Sequence, residues 1–172
     1  LVNWTKPLDL KVEENKGPYV YKLYRAIGIG GENYTLVHTQ NTLLNTAADT
    51  IFTDKNLNTK ELVYRYKVEF YTETSKLFSS SAVASSVKLG VLPDDKSLKL
   101  SWEANVPWSN ENRTHFIYRE DKLNLGKFNL VKKVNVTLAN TFSFTDIGLD
   151  EEKADGDISY DIQNGETHCY YV

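Results

Sequence analysis

An internal repeat limits what this chain can fold into more than any other feature of its sequence. Trp4 answers to Trp102, and Leu23-Tyr24-Arg25 answers to Ile117-Tyr118-Arg119. Tyr34-Thr35-Leu36-Val37 answers to Phe128-Asn129-Leu130-Val131. Phe52-Thr53-Asp54 with Leu57 answers to Phe144-Thr145-Asp146 with Leu149. Tyr64-Arg65-Tyr66-Lys67-Val68 answers to His168-Cys169-Tyr170-Tyr171-Val172. The blocks stand 98, 94, 94, 92 and 104 residues apart, by subtraction of the paired residue numbers. Their order is kept, and the drift in spacing is what loop insertions produce. The large last separation places an insertion in the second copy between Asp150 and Glu166. A chain of 172 residues holds two domains of ordinary size, expected here over residues 1–82 and 83–172.

The repeated blocks read as strands. Val20 to Arg25, Tyr34 to Thr39 and Leu62 to Val68 alternate apolar and polar residues with period two, as half-buried strands do. Turn signals separate them: Asn15-Lys16-Gly17-Pro18, Gly28-Ile29-Gly30-Gly31 and Asp54-Lys55-Asn56. No helical period of ten or more residues appears, and Ala47-Ala48-Asp49 is too short to make a helix. Apolar residues form 41% of the chain, enough to build a core. The expectation is an all-β pair of domains. The run Ser79 to Ser86 falls at the boundary and is expected to carry the last strand of the first copy directly into the first strand of the second.

A Trp-bearing strand, a strand ending in Tyr-Arg, a Phe-Thr-Asp turn with a following Leu, and a Tyr-rich penultimate strand together resemble the fibronectin type III pattern. That resemblance implies two tandem immunoglobulin-like β-sandwiches, with Trp4 and Trp102 buried at equivalent places. It also implies a tyrosine whose hydroxyl bonds back to the backbone, at Tyr64 in the first copy. In the second copy His168 occupies that slot. Ser101 to Trp108, Ile117 to Asp121, Gly126 to Val131 and Thr167 to Val172 resemble more narrowly the modules of large exported, gliding-motility-associated bacterial surface proteins that use type IX secretion. The chain contains no Met and is expected to be a piece of a longer protein, lacking the first strand of one sandwich and the last of the other.

Several function classes find no support in composition. A net charge of -3 with scattered basic residues offers no footprint for nucleic acid. No stretch of about 18 apolar residues is present to insert in a membrane. Cys169 is the only cysteine, so no intrachain disulfide can form.

Candidate chemistry is sparse. His38, His115 and His168 fall on three different predicted strands and share no metal-ligand spacing. Cys169 and His168 are adjacent, so on a strand they face opposite sides and make no nucleophile pair. Cys169 is expected to be buried or half-buried. The acidic run from Asp150 to Asp157 offers Asp150, Glu152, Asp155 and Asp157 as candidate cation ligands. Lys153 interrupts it and the alternation of a calcium loop is missing, so a solvated tip is the reading. Ile158 to Ile162 is expected to extend or pair with the strand near Thr167, after a turn at Asn164-Gly165. Asn3, Asn33, Asn112 and Asn135 begin N-glycosylation acceptor triplets, and Asp49-Thr50-Ile51 resembles a bacterial O-glycosylation site. Trp108, after Pro107, has no partner in the first copy and reads as a loop residue open to contact. Gly28 to Gly31 lacks the ending of a phosphate loop and reads as a hairpin turn.

No nucleophile, base and orienting group converge, so no enzyme activity and no cofactor are expected. The expected role is a spacer, display or adhesion module pair of a secreted or cell-surface protein. Its partners would be a protein or glycan at the cell surface and neighbouring β modules. The alternative is an accessory or carbohydrate-binding pair attached to a secreted enzyme. A fold of this kind does not by itself name a partner.

Overall fold

The computed structural model describes residues 1–105, 114–135, 141–150 and 162–172. Those residues form antiparallel β-sheets, and the only helical element among them is a short 3-10 turn at Asn45–Ala47. They divide into two compact units: residues 1–86, joined by the chain near Asn105, and the remainder from residue 87.

Unit 1 contains β1 (Val2–Asn3), β2 (Tyr19–Ile27), β3 (Thr35–Thr42), β4 (Ile51–Phe52), β5 (Tyr64–Thr72), β6 (Lys76–Ser80) and β7 (Ala84–Ser85). β1 pairs with β4, and the larger sheet runs β3-β2-β5-β6, with β7 also on β5. Tyr19, Tyr21 and Leu23 alternate along β2 and pack with Val68 and Phe70 of β5. Val2, Trp4 and Phe52 cover this cluster from the smaller sheet's side of the chain. The β2–β3 turn needs its glycines: Gly28 sits at φ 89, and a Cβ on Gly31 would lie 2.0 Å from the Ile27 carbonyl oxygen.

Unit 2 contains β8 (Lys88–Asp94), β9 (Ser97–Glu103), β10 (Thr114–Glu120), β11 (Phe128–Asn135), β12 (Thr141–Asp146) and β13 (Tyr170–Tyr171). Its sheets run β12-β9-β8 and β11-β10-β13. Leu98, Leu100 and Trp102 alternate inward along β9, and His115, Ile117 and Arg119 along β10. Leu100, Trp102 and Ile117 form the centre, with Phe142, Phe144 and Tyr170 packed against them.

The repeat extends to registers. The β2–β3 ladder slips by one residue between Leu23 and Tyr24, which face His38 and Leu36. The β10–β11 ladder slips between Ile117 and Tyr118, which face Lys132 and Leu130. Both bulges therefore sit at matched residues, with Val37 and Val131 as the extra ones, and each bends its strand at the same point. Val2 opposite Phe52 likewise matches Leu100 opposite Phe144.

One expectation changes. Trp102 is 1% exposed, but Trp4 is only half-buried and follows β1 instead of sitting inside a strand. The difference is cover: β8 flanks β9, and no strand of unit 1 flanks β1 on that side. The serine run does carry the last strand of unit 1, broken into β6 and β7, on to β8, and its serines also bond to β5. Ser81 N–H donates to the Val68 carbonyl at 2.8 Å and its Oγ accepts from Val68 N–H at 2.9 Å. Ser86 makes the same pair of bonds with Tyr64, at 2.8 and 3.1 Å. Serine side chains thus satisfy β5 backbone groups just past the ends of β6 and β7.

Candidate functional site

Each unit holds an arginine–aspartate–tyrosine cluster built from matched residues, its ion pair buried in unit 2 and partly exposed in unit 1. In unit 1, Arg25 of β2 donates through Nη1 to both carboxylate oxygens of Asp54, at 3.0 and 2.9 Å. Tyr66 of β5 donates its hydroxyl to Asp54 Oδ2 at 3.0 Å. In unit 2, Arg119 of β10 donates through Nη1 to Asp146 Oδ2 at 2.6 Å. Tyr170 of β13 donates to the same oxygen at 2.8 Å. Burial pushes the Tyr66 and Tyr170 phenols well above their ordinary range, and the neighbouring aspartate adds to that. In both units the aspartate stands two residues after the repeated Phe, at or just past the end of its strand, and the arginine and tyrosine lie on adjacent strands of the other sheet. The cluster is a charged tie between sheets, with the carboxylate accepting from both the arginine and the tyrosine.

Unit 2 has a second tie. Trp102 Nε1–H donates to His115 Nδ1 at 2.8 Å across the core. An accepting Nδ1 places the proton of the neutral ring on Nε2. Burial lowers the His115 pKa, which keeps the ring neutral and able to accept.

The outward faces carry aromatic groups at matched positions. In unit 1, Lys67 Nζ stands 5.2 Å from the Tyr24 ring centre and 5.0 Å from that of Tyr34. It also pairs with Glu69 at 2.8 Å, and Tyr71 donates to the same carboxylate at 2.6 Å. Desolvation pushes the Glu69 pKa up, but the bonds from Lys67 and Tyr71 outweigh it and the net shift is downward. In unit 2 the corresponding residues are all aromatic. Tyr118 stacks on Tyr171 at 4.6 Å, and Phe128 meets Tyr171 edge-on at 4.9 Å. These two outward clusters were not singled out from sequence. The signal was present in the repeat, because Tyr24 matches Tyr118 and Tyr34 matches Phe128, but periodicity alone does not say which residues of adjacent strands stand side by side.

The residues singled out from sequence do not converge. His38 stacks on Phe52 at 4.5 Å, His115 is tied to Trp102, and His168 is half-buried just before β13. Burial lowers the His168 pKa. No group of three potential metal ligands occurs among the described residues. Cys169 is exposed, not buried. Tyr170 must face inward to reach Asp146, so its neighbour Cys169 faces out by strand alternation. Tyr64 does bond back to the backbone: its hydroxyl accepts from Asn58 N–H at 3.1 Å.

The acidic segment is also corrected in part. Asp150 does not project into solvent. Its side chain is 7% exposed and accepts from Arg119 Nη2 at 2.6 Å. Arg119 has one Nη for each of two aspartates, so it draws the start of the segment onto the protein. Glu152, Asp155 and Asp157 lie outside the described residues, as do Trp108, Asn112 and Ile158 to Asp161. Ile162 is described; it is buried at 4% exposure and belongs to no strand. The turn at Asn164-Gly165 is present, with Gly165 at φ 86. Asn164 accepts from Lys96 N–H and donates to Asp95, at 3.0 and 2.9 Å.

No protein-family model matches the chain, and comparison with curated proteins finds no match.

Proposed function

We propose that the chain is a pair of tandem β-sandwich modules of the fibronectin type III kind, serving as non-catalytic spacer or adhesion elements of a large exported surface protein. The observation that carries this reading is the matched arginine–aspartate–tyrosine cluster. In both units an arginine, an aspartate and a tyrosine at matched positions turn inward and bond to one another. Such groups hold two sheets together and are engaged with one another, so they are not themselves poised as nucleophile or base. The strand orders support the sandwich reading, because each unit's two sheets contribute to one shared cluster of apolar residues. The outward aromatic clusters, Tyr24 with Tyr34 and Tyr118 with Phe128 and Tyr171, are the surfaces offered to a protein or glycan partner. Aromatic faces suit that task because they give large contact area at low entropic cost.

Mechanical unfolding of the tethered chain tests the spacer role. The expected record has two separate unfolding events, each releasing about 30 nm of chain, from roughly 85 residues at about 3.5 Å each. A single event spanning the chain, or extension without resistance, would remove the reading.

A further inference from the structure

The turn between β10 and β11 in unit 2 inverts the usual arrangement: its carboxylates turn in and its leucines turn out. Leu123 is 90% exposed and Leu125 is 83% exposed. Around them the loop closes on itself. Asp121 accepts from Leu123 N–H through Oδ1 at 2.9 Å and from the Asn124 side-chain amide through Oδ2 at 3.1 Å. Glu120 accepts from Gly126 N–H at 2.7 Å. Asn124 N–H donates to the Asp121 carbonyl at 3.2 Å, Lys127 N–H to the Asn124 carbonyl at 3.0 Å, and Asp121 N–H to the Lys127 carbonyl at 2.7 Å. Gly126, at φ 86, supplies the left-handed residue this turn needs. Most N–H groups from Asp121 to Lys127 therefore have an acceptor within the turn. The fold does not require such a loop. The matching turn of unit 1 has the same length, Ala26 to Asn33 against Glu120 to Lys127, and is built around Gly28, Gly30 and Gly31 with no leucine.

The loop's own bonding says what meets these leucines. A protein partner is held in register by polar contacts around an apolar centre, and this turn has spent its carboxylates on its own N–H groups. A medium that offers no hydrogen bonds demands the opposite, backbone donors already satisfied, and the turn meets that demand. Lys122, bonded to Glu166, and Lys127 stand on either side of the leucines. Their long stems let the ammonium groups stay in water while the tip is buried. Glu120 and Asp121 offset the charge of the two lysines. We propose that the β10–β11 turn is a lipid-inserting tip: Leu123 and Leu125 enter the apolar layer of a bilayer surface while the body of unit 2 stays in water. This is shallow insertion of two side chains, distinct from a spanning segment. The proposal does not depend on the spacer reading, since it rests on the turn alone.

The test is cosedimentation of the whole chain with phosphatidylcholine vesicles. Half-saturation is expected at about 1 mM lipid, the range that two buried leucines support. A spin-labelled lipid is expected to broaden the methyl resonances of Leu123 and Leu125 before those of other residues. Leu123→Ser and Leu125→Ser are each expected to weaken association by at least about tenfold. The melting temperature should hold, because both side chains already face water. Equal association by the double variant would place the contact elsewhere and overturn the proposal. So would no association up to about 10 mM lipid, or association abolished by about 0.5 M salt, which would make the attachment electrostatic. Self-association without lipid, lost in the double variant, would assign the leucines to a second copy and overturn it too.

Discussion

Arg119 and Asp146 meet at 2.6 Å with side chains 2% and 0% exposed, whereas Arg25 and Asp54, bonded in the matching place, are 28% and 10% exposed. One motif thus exists in two dielectric settings within a single chain. The buried version costs more to break, because a lone guanidinium left inside has neither water nor a full set of partners.

Asp146→Ala is therefore expected to destabilise unit 2 by about 3 kcal/mol, the lower end of the range for a broken buried pair, since Asp150 remains on Arg119. Asp54→Ala is expected to cost unit 1 roughly 1 kcal/mol, because its arginine reaches water. Urea unfolding of both variants checks the order. Equal losses would show that burial does not set the strength of these ties.

The two tryptophans should also separate. Trp102→Ala empties a fully buried site and breaks the bond to His115, so a loss of about 3–5 kcal/mol is expected. Trp4→Ala, at a half-buried site, is expected to cost about 1–2 kcal/mol, since less apolar surface returns to water. Denaturant midpoints of the two variants decide it, and a Trp4 loss as large as that of Trp102 would contradict the half-buried setting.

Stability should depend on pH through His115 and His168. Burial lowers both pKa values below the ordinary 6.5. The unfolded chain then takes up protons first as pH falls, so unit 2 loses stability progressively below about pH 6.5. Glu69, with its pKa lowered from 4.5, works in the same direction but only at lower pH. His115→Gln keeps an acceptor for Trp102 and removes one titrating ring. Melting curves between about pH 7 and 5 should show a shallower decline for this variant; an unchanged slope would clear His115 of the effect.

Tyr64→Phe is expected to lose about 1 kcal/mol, because the Asn58 N–H loses its acceptor while the ring stays packed. Amide exchange at Asn58 is the local readout, and it should quicken in the variant. Unaltered protection there would show that the hydroxyl contributes nothing to the turn.

The repeat and the strand character of its blocks were legible from residue order alone, and the bond at Tyr64 from the family pattern those blocks resemble. Period-two alternation and turn residues act over a few neighbours, and matched blocks need no coordinates to be seen. The burial of Trp102 was expected from that same resemblance. Which aspartate meets which arginine was not legible, although Arg25, Asp54 and Tyr66 all lie in or beside matched blocks. Their meeting requires two sheets to close on one core, a relation between residues 12 to 41 positions apart. Asp150 illustrates the limit best. Its neighbours make it look like the start of a solvated acidic tip, and only the second Nη of a buried Arg119 turns it inward. Trp4 and Trp102 share a motif and differ in burial, because exposure depends on whether another strand lies alongside. Sequence determines local conformation and the apolar faces; tertiary structure decides which charges are buried together and which apolar residues are covered, because both depend on contacts between segments remote in the chain.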